Sequence, residues 1–370
     1  MDPECVNVRL SKGAYKIWVS CNWLSKAGKM IRQIPELRFI KEAMVFTSPN
    51  IGGLYFRHLE QSLKNAGFNK VYRHDIPDGE RNKNFEQYEK CLNALATSFK
   101  LPESLPLVIN LGGGVVGDMG GFAAATFRRG VPYVQIPTTL LGFVDCGIGG
   151  KVDINYHGIK NLIGQFYQPK LVFDDLILIN TLEARQVRSG IAEVVKYGAV
   201  CSRGLFEYLE DKIEDLSRLC PQALTRVTME CAGIKARIVA KDEKDAKGVR
   251  IVLNFGHTVG HALETEADFK MTHGEAISVG MVAATKLAVK LKVCAEEVCE
   301  RLVALLQRAK LPIHARGLEL SADRILSRMK HDKKFVGGRN LFVLPTSIGS
   351  WRKREGIGEG LIRKIVLDLI

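Results

Sequence analysis

The spacing of apolar residues changes character midway along the chain. In the first half, short apolar runs alternate with helical patterns. Ala43 to Thr47, Lys70 to Ile76, Leu105 to Leu111 and Tyr133 to Ile136 read as strands, whereas Gly52 to Ala66 and Asn84 to Phe99 repeat their apolar residues at helical spacing. Pro77-Asp78-Gly79 turns the chain between them. Strands separated by helices predict βαβ units and a mostly parallel sheet. The opening segment, Val6 to Leu24, predicts a hairpin added at the sheet edge. From about Thr181 long amphipathic helices take over: Val187 to Val200, Pro221 to Val239, His257 to Ala267, Glu275 to Leu291 and Ala295 to Ala309. A strand signal returns only at Asn340 to Leu344. The expectation is an α/β domain over residues 1–180 and an all-α domain over residues 181–370. A cleft between two unlike domains is a common place for a ligand.

Composition narrows the class. A chain of 370 residues is long enough for two domains, and 46% hydrophobic with 25% charged residues is ordinary for a globular protein. Disorder, collagen and low-complexity arrays are excluded. The unusual quantity is charge, 53 Lys+Arg against 40 Asp+Glu, a net +13 that asks for an acidic partner. The basic clusters at Arg128-Arg129, Lys330 to Lys334 and Arg352 to Arg354 are small and not interleaved with aromatics, so nucleic acid is not expected. No apolar run reaches the roughly 18 residues of a membrane span, so no membrane partner is expected. The first residues carry no basic-then-apolar leader. Nine cysteines, odd in number and without a CxxC pair, argue against a disulfide framework and for a reducing cytoplasm.

Three groups of residues carry chemistry. Leu111-Gly112-Gly113-Gly114-Val115-Val116-Gly117-Asp118 follows a buried-type strand and opens a helix. Glycines there let a ligand approach the backbone, and the helix N-terminus offers N–H groups to an anion such as a pyrophosphate. The same glycines would equally serve close helix–sheet packing, and the motif is not GxGxxG. Second, three of the eight histidines fall between His257 and His273. His257 and His261 share one helical face, His273 begins another helix, and Glu193 and Lys196 lie three apart on a third. Two histidines and a glutamate would leave an open coordination position, as a catalytic zinc site requires, and spacing does not choose the glutamate. Third, Lys151 after Gly149-Gly150, Lys160-Asn161 before Gly164, and Lys235, Arg250 and Lys333-Lys334 are candidate anion contacts. A dinucleotide beside a metal points to alcohol–ketone redox chemistry.

Seven segments together are more specific than any one. Gly112-Gly113-Gly114 with Asp118, Phe127-Arg128-Arg129-Gly130, Gln135 to Leu141, Val144-Asp145 with Gly149-Gly150-Lys151, Lys160 to Gly164, Glu193 to Gly198 and Asn254 to Thr258 resemble the 3-dehydroquinate synthases, collinearly from about Pro77 to Leu344. These belong to the wider sugar phosphate cyclases. The resemblance implies a dehydroquinate synthase-like fold, with an N-terminal α/β nucleotide-binding domain, an all-α C-terminal metal-binding domain and a homodimer. It implies zinc, or alternatively cobalt, on Glu193, His257 and His273, and NAD near Asn50, Glu80, Lys83, Gly113, Gly114, Asp118, Thr138, Thr139, Asp145, Lys151 and Lys160. Asp145, Lys151, Asn161, Lys196, Lys235, Arg250, Asn254, His261 and Lys334 match the family's active-site region, and Arg129 matches an arginine supplied across the dimer interface.

The implied reaction converts 3-deoxy-D-arabino-heptulosonate 7-phosphate into 3-dehydroquinate and phosphate, a carbon–oxygen lyase step of the shikimate pathway. The alternatives are another sugar phosphate cyclase, of the 2-deoxy-scyllo-inosose or 2-epi-5-epi-valiolone synthase type, and a metal-dependent polyol dehydrogenase. The chain departs from the usual pattern at several points. Ser48 stands for an aspartate, Glu183 for a proline, Gln186 for a glutamate and Val152 for a threonine. Cys146-Gly147-Ile148 replaces a small polar stretch, and Lys235 to Arg250 is one residue longer than typical.

Overall fold

A computed structural model describes residues 3–100, 105–268, 270–330 and 340–370. The chain divides into two compact units, Met1–Leu182 with Lys235–Lys244, and Glu183–Ile234 with Asp245–Ile370.

The first unit holds strands β1 (Glu4–Arg9), β2 (Ala14–Ser20), β3 (Glu42–Thr47), β4 (Lys70–Asp75), β5 (Leu107–Gly112), β6 (Tyr133–Pro137), β7 (Lys151–Tyr156), β8 (Ile159–Phe166) and β9 (Leu171–Asp175). Its helices are α1 (Ala27–Arg32), α2 (Pro49–Asn65), α3 (Phe85–Ser98) and α4 (Gly114–Thr126). Seven strands form one sheet in the order β1-β2-β9-β6-β5-β3-β4. All pairings are parallel except β1 with β2, the expected edge hairpin. The inner strands are apolar along their length because both faces are covered, as parallel sheets require. Val45, Ile109, Val134 and Phe173 join Ile31, Leu59 and Leu63 in one core. Met44, Phe46, Val108 and Tyr133 join Tyr88, Leu95, Met119 and Phe122 in the other. The turn from β5 into α4 thus opens at the carboxyl ends of the parallel strands, where open α/β sheets take their ligands. Strands β7 and β8 form a separate antiparallel hairpin.

The second unit is built on α5 (Ala184–Cys201), α6 (Arg203–Ser217), α7 (Pro221–Lys241), α8 (His257–Glu266), α9 (His273–Lys290), α10 (Glu296–Arg308), α11 (Ala322–Lys330) and α12 (Glu359–Leu367). The last turns of α7, from Lys235, are counted with the first unit. The unit is helical apart from one hairpin, β10 (Leu341–Ser347) with β11 (Ser350–Glu355). Helix α5 is its centre, with every residue from Ser189 to Val200 buried. Among the described residues no helix is long and apolar enough to cross a membrane, and all nine cysteines are free thiols.

Candidate functional site

Two charged side chains sit inside the buried helix α5. Glu193 and Lys196 are 0% and 1% exposed, and three residues apart they form an ion pair on one helical face. A carboxylate taken out of water is tolerated only beside compensating groups. Two imidazoles add to Lys196 here: Nε2 of His257 lies 3.5 Å and Nε2 of His273 3.3 Å from Glu193 Oε1. The far nitrogen of each ring is held from behind. His257 Nδ1 lies 3.0 Å from the Phe255 carbonyl, and His273 Nδ1 lies 3.3 Å from Glu264 Oε2. A carbonyl or carboxylate behind the ring is the usual brace of a metal-ligating histidine, and it turns Nε2 inward. One donor atom from each of Glu193, His257 and His273 lies within 4.8 Å of the others. Two imidazole nitrogens and a carboxylate oxygen are the donor set of a catalytic zinc site, which keeps a position for water or substrate. Burial opposes charge on His273, but its bonds to Glu193 and Glu264 prevail and raise it to about 9. The two carboxylates call for a cation at this point, as a metal ion would supply.

The start of α9 is placed against α5 by close contacts. A Cβ on Gly274 would lie 2.2 Å from the Ser189 carbonyl oxygen, so only glycine permits this approach. Its N–H donates to Ser189 Oγ at 2.9 Å. Thr272 and Glu275 cap α9 reciprocally. Arg185 grips Glu275 through Nε at 2.8 Å and Nη2 at 2.6 Å, and Nη2 also reaches the Lys270 carbonyl at 2.7 Å. Ser189 and Arg185 therefore lie one and two turns before Glu193 and set where His273 begins. On the other side, Gly256 adopts a left-handed φ of 80° to turn the chain into His257. His261 stands beside the trio, its ring centroid 5.0 Å from His257 and 5.9 Å from His273. Arg250 is buried at 2% exposure, and Asn254 is half-buried on the same short helical segment leading into His257.

In the first unit, Gly113 is the N-cap of α4 and Gly114 its first residue. The later glycines of α4 answer to packing: a Cβ on Gly117 or Gly120 would fall 2.2 Å from Gln135 or 2.1 Å from Asn110. Gly113 and Gly114 lie in the turn itself, beside Thr139 and Cys146. Thr138 follows β6 with its N–H on the Gly112 carbonyl at 3.1 Å. Its hydroxyl is buried and has no hydrogen-bond partner among the described residues. An orphaned hydroxyl beside a helix N-terminus fits a polar, anionic ligand such as a dinucleotide. Thr139 Oγ1 accepts the Gly142 N–H at 3.0 Å.

A second polar cluster lies nearby in sequence. Lys83 is 2% exposed, and its ammonium donates to Asp118 Oδ2 at 2.5 Å and Asn161 Oδ1 at 2.7 Å. Asp153 Oδ1 lies 2.5 Å from the same nitrogen as an ion pair. Burial opposes the Lys83 charge, but Asp118 and Asp153 outweigh it and raise its pKa. Burial raises Asp118 to about 7, against the pull of Lys83 and with the push of Asp153. Asn155 ties the same elements together. It donates to Glu80 Oε1 at 2.9 Å, its own N–H donates to the Lys83 carbonyl at 2.9 Å, and its Oδ1 accepts the Asn161 N–H at 2.9 Å. Lys160 lies 3.6 Å from Glu80. Asp145, in one wide helical turn from Gly142 to Cys146, accepts from Lys235 Nζ at its carboxylate and at its carbonyl, both at 2.8 Å.

The structure thus gathers Glu193, Lys196, His257, His261 and His273 in one unit. In the other it gathers Glu80, Lys83, Asp118, Lys160 and Asn161, with Asp145 on Lys235. Lys151 and Arg129 are exposed, and Asn50 donates to Asp78 at 3.1 Å. Lys334 lies outside the described residues. Ser48 caps α2, its hydroxyl accepting the Ile51 N–H at 3.5 Å. Sequence reasoning passed over Glu264, Asp153 and Asn155. Glu264 had a signal, since 257, 261 and 264 share one helical face. The Lys83 partner of Asp153 and the Glu80 and Lys83 partners of Asn155 are distant in sequence and left none.

Comparison with known proteins covers most of the chain. A family model described as 3-dehydroquinate synthase N-terminal matches residues 73–189, and one described as 3-dehydroquinate synthase C-terminal matches residues 190–335. A 3-dehydroquinate synthase of Crocosphaera subtropica is 40% identical over 367 residues, 98% of each chain. One of Caldanaerobacter subterraneus subsp. tengcongensis is 41% identical over 345 residues, 93% of this chain and 94% of the other. Among solved structures, a 2-epi-5-epi-valiolone synthase from Streptomyces hygroscopicus subsp. jinggangensis, with NAD+ and Zn2+ bound, superposes with a TM-score of 0.85 at 25% identity over 98% of each chain.

Proposed function

Because the chain belongs to the 3-dehydroquinate synthase family, we propose that it converts 3-deoxy-D-arabino-heptulosonate 7-phosphate into 3-dehydroquinate and phosphate. The observation that carries this reading is the trio of Glu193, His257 and His273, with Glu193 fully buried, in a chain 40% identical to such a synthase along its length. Those three residues would hold zinc or cobalt, and the β5–α4 turn with Thr138 and Thr139 would hold NAD. When bound, NAD accepts and returns a hydride, and the metal ion acidifies the substrate hydroxyl to be oxidised.

The chain's own groups divide the remaining work. Lys151, Asn161, Lys334 and Arg129 of a second copy hold the phosphate. Arg250 pairs with the substrate carboxylate, because a planar guanidinium can bind it bidentately, and Lys235 supports it. His261, beside the trio, takes the proton from the hydroxyl being oxidised. Asp145 and Lys196 orient the hydroxyls and the nicotinamide side, and Asn254 lies between Arg250 and His257. The enzyme acts in the cytoplasm as a homodimer. Supporting the dimer, Phe85, Tyr156, Ile159, Leu162 and Phe166 are all more than a third exposed on and around the β7–β8 hairpin. Arg129 is exposed on a turn whose residues 128–130 all have positive φ.

A substrate panel scored by phosphate release tests the reaction. With zinc and catalytic NAD, the heptulosonate phosphate is expected to yield phosphate and dehydroquinate. Release only from glucose 6-phosphate or sedoheptulose 7-phosphate would assign another cyclase, which the departure at Gln186 favours. Stoichiometric NADH would instead indicate a polyol dehydrogenase. Mixing Arg129→Ala with Glu193→Ala protein is expected to restore part of the activity that each loses alone. No recovery in verified mixed dimers would refute the trans arginine.

A further inference from the structure

Lys83 matches a cofactor contact of the family, but its surroundings assign it other work. An ammonium has three N–H donors. Two are given to Asp118 Oδ2 and Asn161 Oδ1, at 2.5 and 2.7 Å, and Asp153 Oδ1 lies 2.5 Å away as an ion pair. The side chain is 3% exposed, so these three groups nearly enclose the ammonium. We propose that Lys83 is a positioning residue, which fixes the amide of Asn161 rather than touching the nucleotide.

The argument turns on which end of the amide faces Lys83. Its Oδ1 accepts from Lys83, so the other end of the amide is the NH2, a donor only. A donor suits a phosphate oxygen, whereas the flipped amide would set oxygen against oxygen. The backbone of Asn161 is held at the same time, at a left-handed φ of 54°, by its N–H bond to Asn155. Asn155 is itself anchored to Glu80 and Lys83. Asp118 and Asp153 keep the ammonium charged and in place despite its burial. The buried lysine thus joins the 80–83 turn, α4 and the β7–β8 hairpin, and delivers Asn161 with its polarity set.

This inference rests on the proposed role of Asn161 as a phosphate contact. Its test is a double-mutant cycle between Lys83→Met and Asn161→Ala, with Asp153→Asn added to each Lys83 variant to lower the buried negative charge. The expected result is a rise of about tenfold or more in KM for the phosphorylated substrate with Lys83→Met, the size of a lost charge-assisted bond. KM for NAD should change less than twofold. In the Asn161→Ala background the Lys83 substitution should have little further effect. Inhibition by inorganic phosphate, competing with substrate, should weaken in parallel. An additive cycle, or a rise in KM for NAD that persists without Asn161, would overturn the proposal and restore a direct contact. Failure of unsubstituted protein to turn over the heptulosonate phosphate would defeat the proposed reaction instead. In that case calorimetric binding of inorganic phosphate still reads the Lys83–Asn161 coupling, and its absence in the unsubstituted protein would overturn the phosphate role as well. Thermal midpoints of all variants separate these outcomes from loss of fold.

Discussion

A carboxyl group without a hydrogen-bond partner lies inside the first unit, at Asp174 on β9. It is 0% exposed, and neither oxygen has a partner among the described residues. Burial alone raises its pKa well above the usual carboxylate range. The folded state therefore keeps a proton that the unfolded chain releases near pH 4. Stability from this group is fullest below that pH and declines as pH rises toward the folded value. Asp174→Val, on a strand where Val19 lies opposite, is expected to stabilise the protein by about 1–3 kcal/mol at pH 7. The gain should shrink near pH 4. Urea midpoints at the two pH values check this, and an unchanged or lower midpoint at pH 7 would contradict it. Glu264 is a contrasting case, a buried carboxylate with a task. Glu264→Gln is expected to weaken metal retention by about 10–100-fold, read by competition with a chelator. Unchanged retention would remove Glu264 from the support of His273.

At the scale of elements, the junction of α5 and α9 constrains the metal trio closely. Gly274→Ala forces backbone apart at Ser189 and is expected to cost about 1–3 kcal/mol of stability. It should also lower metal affinity, because His273 is the adjacent residue. A variant that loses stability but retains metal normally would show that the junction does not govern His273. The elements differ in how far they could be read beforehand. Strands β3, β5 and β6 and helices α5, α7, α8, α9 and α10 were legible because burial imposes a run or a stripe of apolar residues. The β7–β8 hairpin was not, since most of β8 is exposed and no alternation marks it. Helix α6 carried a stripe at Leu205, Leu209, Ile213 and Leu216 beneath many charged residues. The terminal β11 is exposed along almost its whole length, so its basic sequence gave no structural cue. The candidate site divides in the same way. Glycine turns and histidine spacing are local patterns, whereas Lys83 with Asp153, or Asp145 with Lys235, meet only through the tertiary fold.

For the molecule as a whole, the net charge of +13 can now be divided. Lys83, Lys196 and Lys235 are buried against carboxylates and contribute little outward field. The exposed remainder, including Arg129, Lys151 and the Arg352 to Arg354 strand, faces solvent and contributes to the long-range field. A multiply anionic substrate should be drawn in, so kcat/KM is expected to fall as salt shortens the screening length from roughly 10 Å at 0.1 M. The fall should appear in kcat/KM with kcat nearly constant. A flat salt profile would leave the excess charge to solubility alone.

The assignment of Lys235–Lys244 to the first unit also bears on how the protein is made. Synthesis proceeds from the N-terminus, and Lys235 emerges 90 residues after its partner Asp145. The sheet can form as soon as β9 is complete, but the turn around Asp145 must wait for a segment encoded beyond α5 and α6. A nascent chain stopped at Leu182 would carry the β5–α4 turn but not the cation that Asp145 meets in the folded chain. The first unit is contiguous in space but not in time, and its last piece arrives with the second unit already under way.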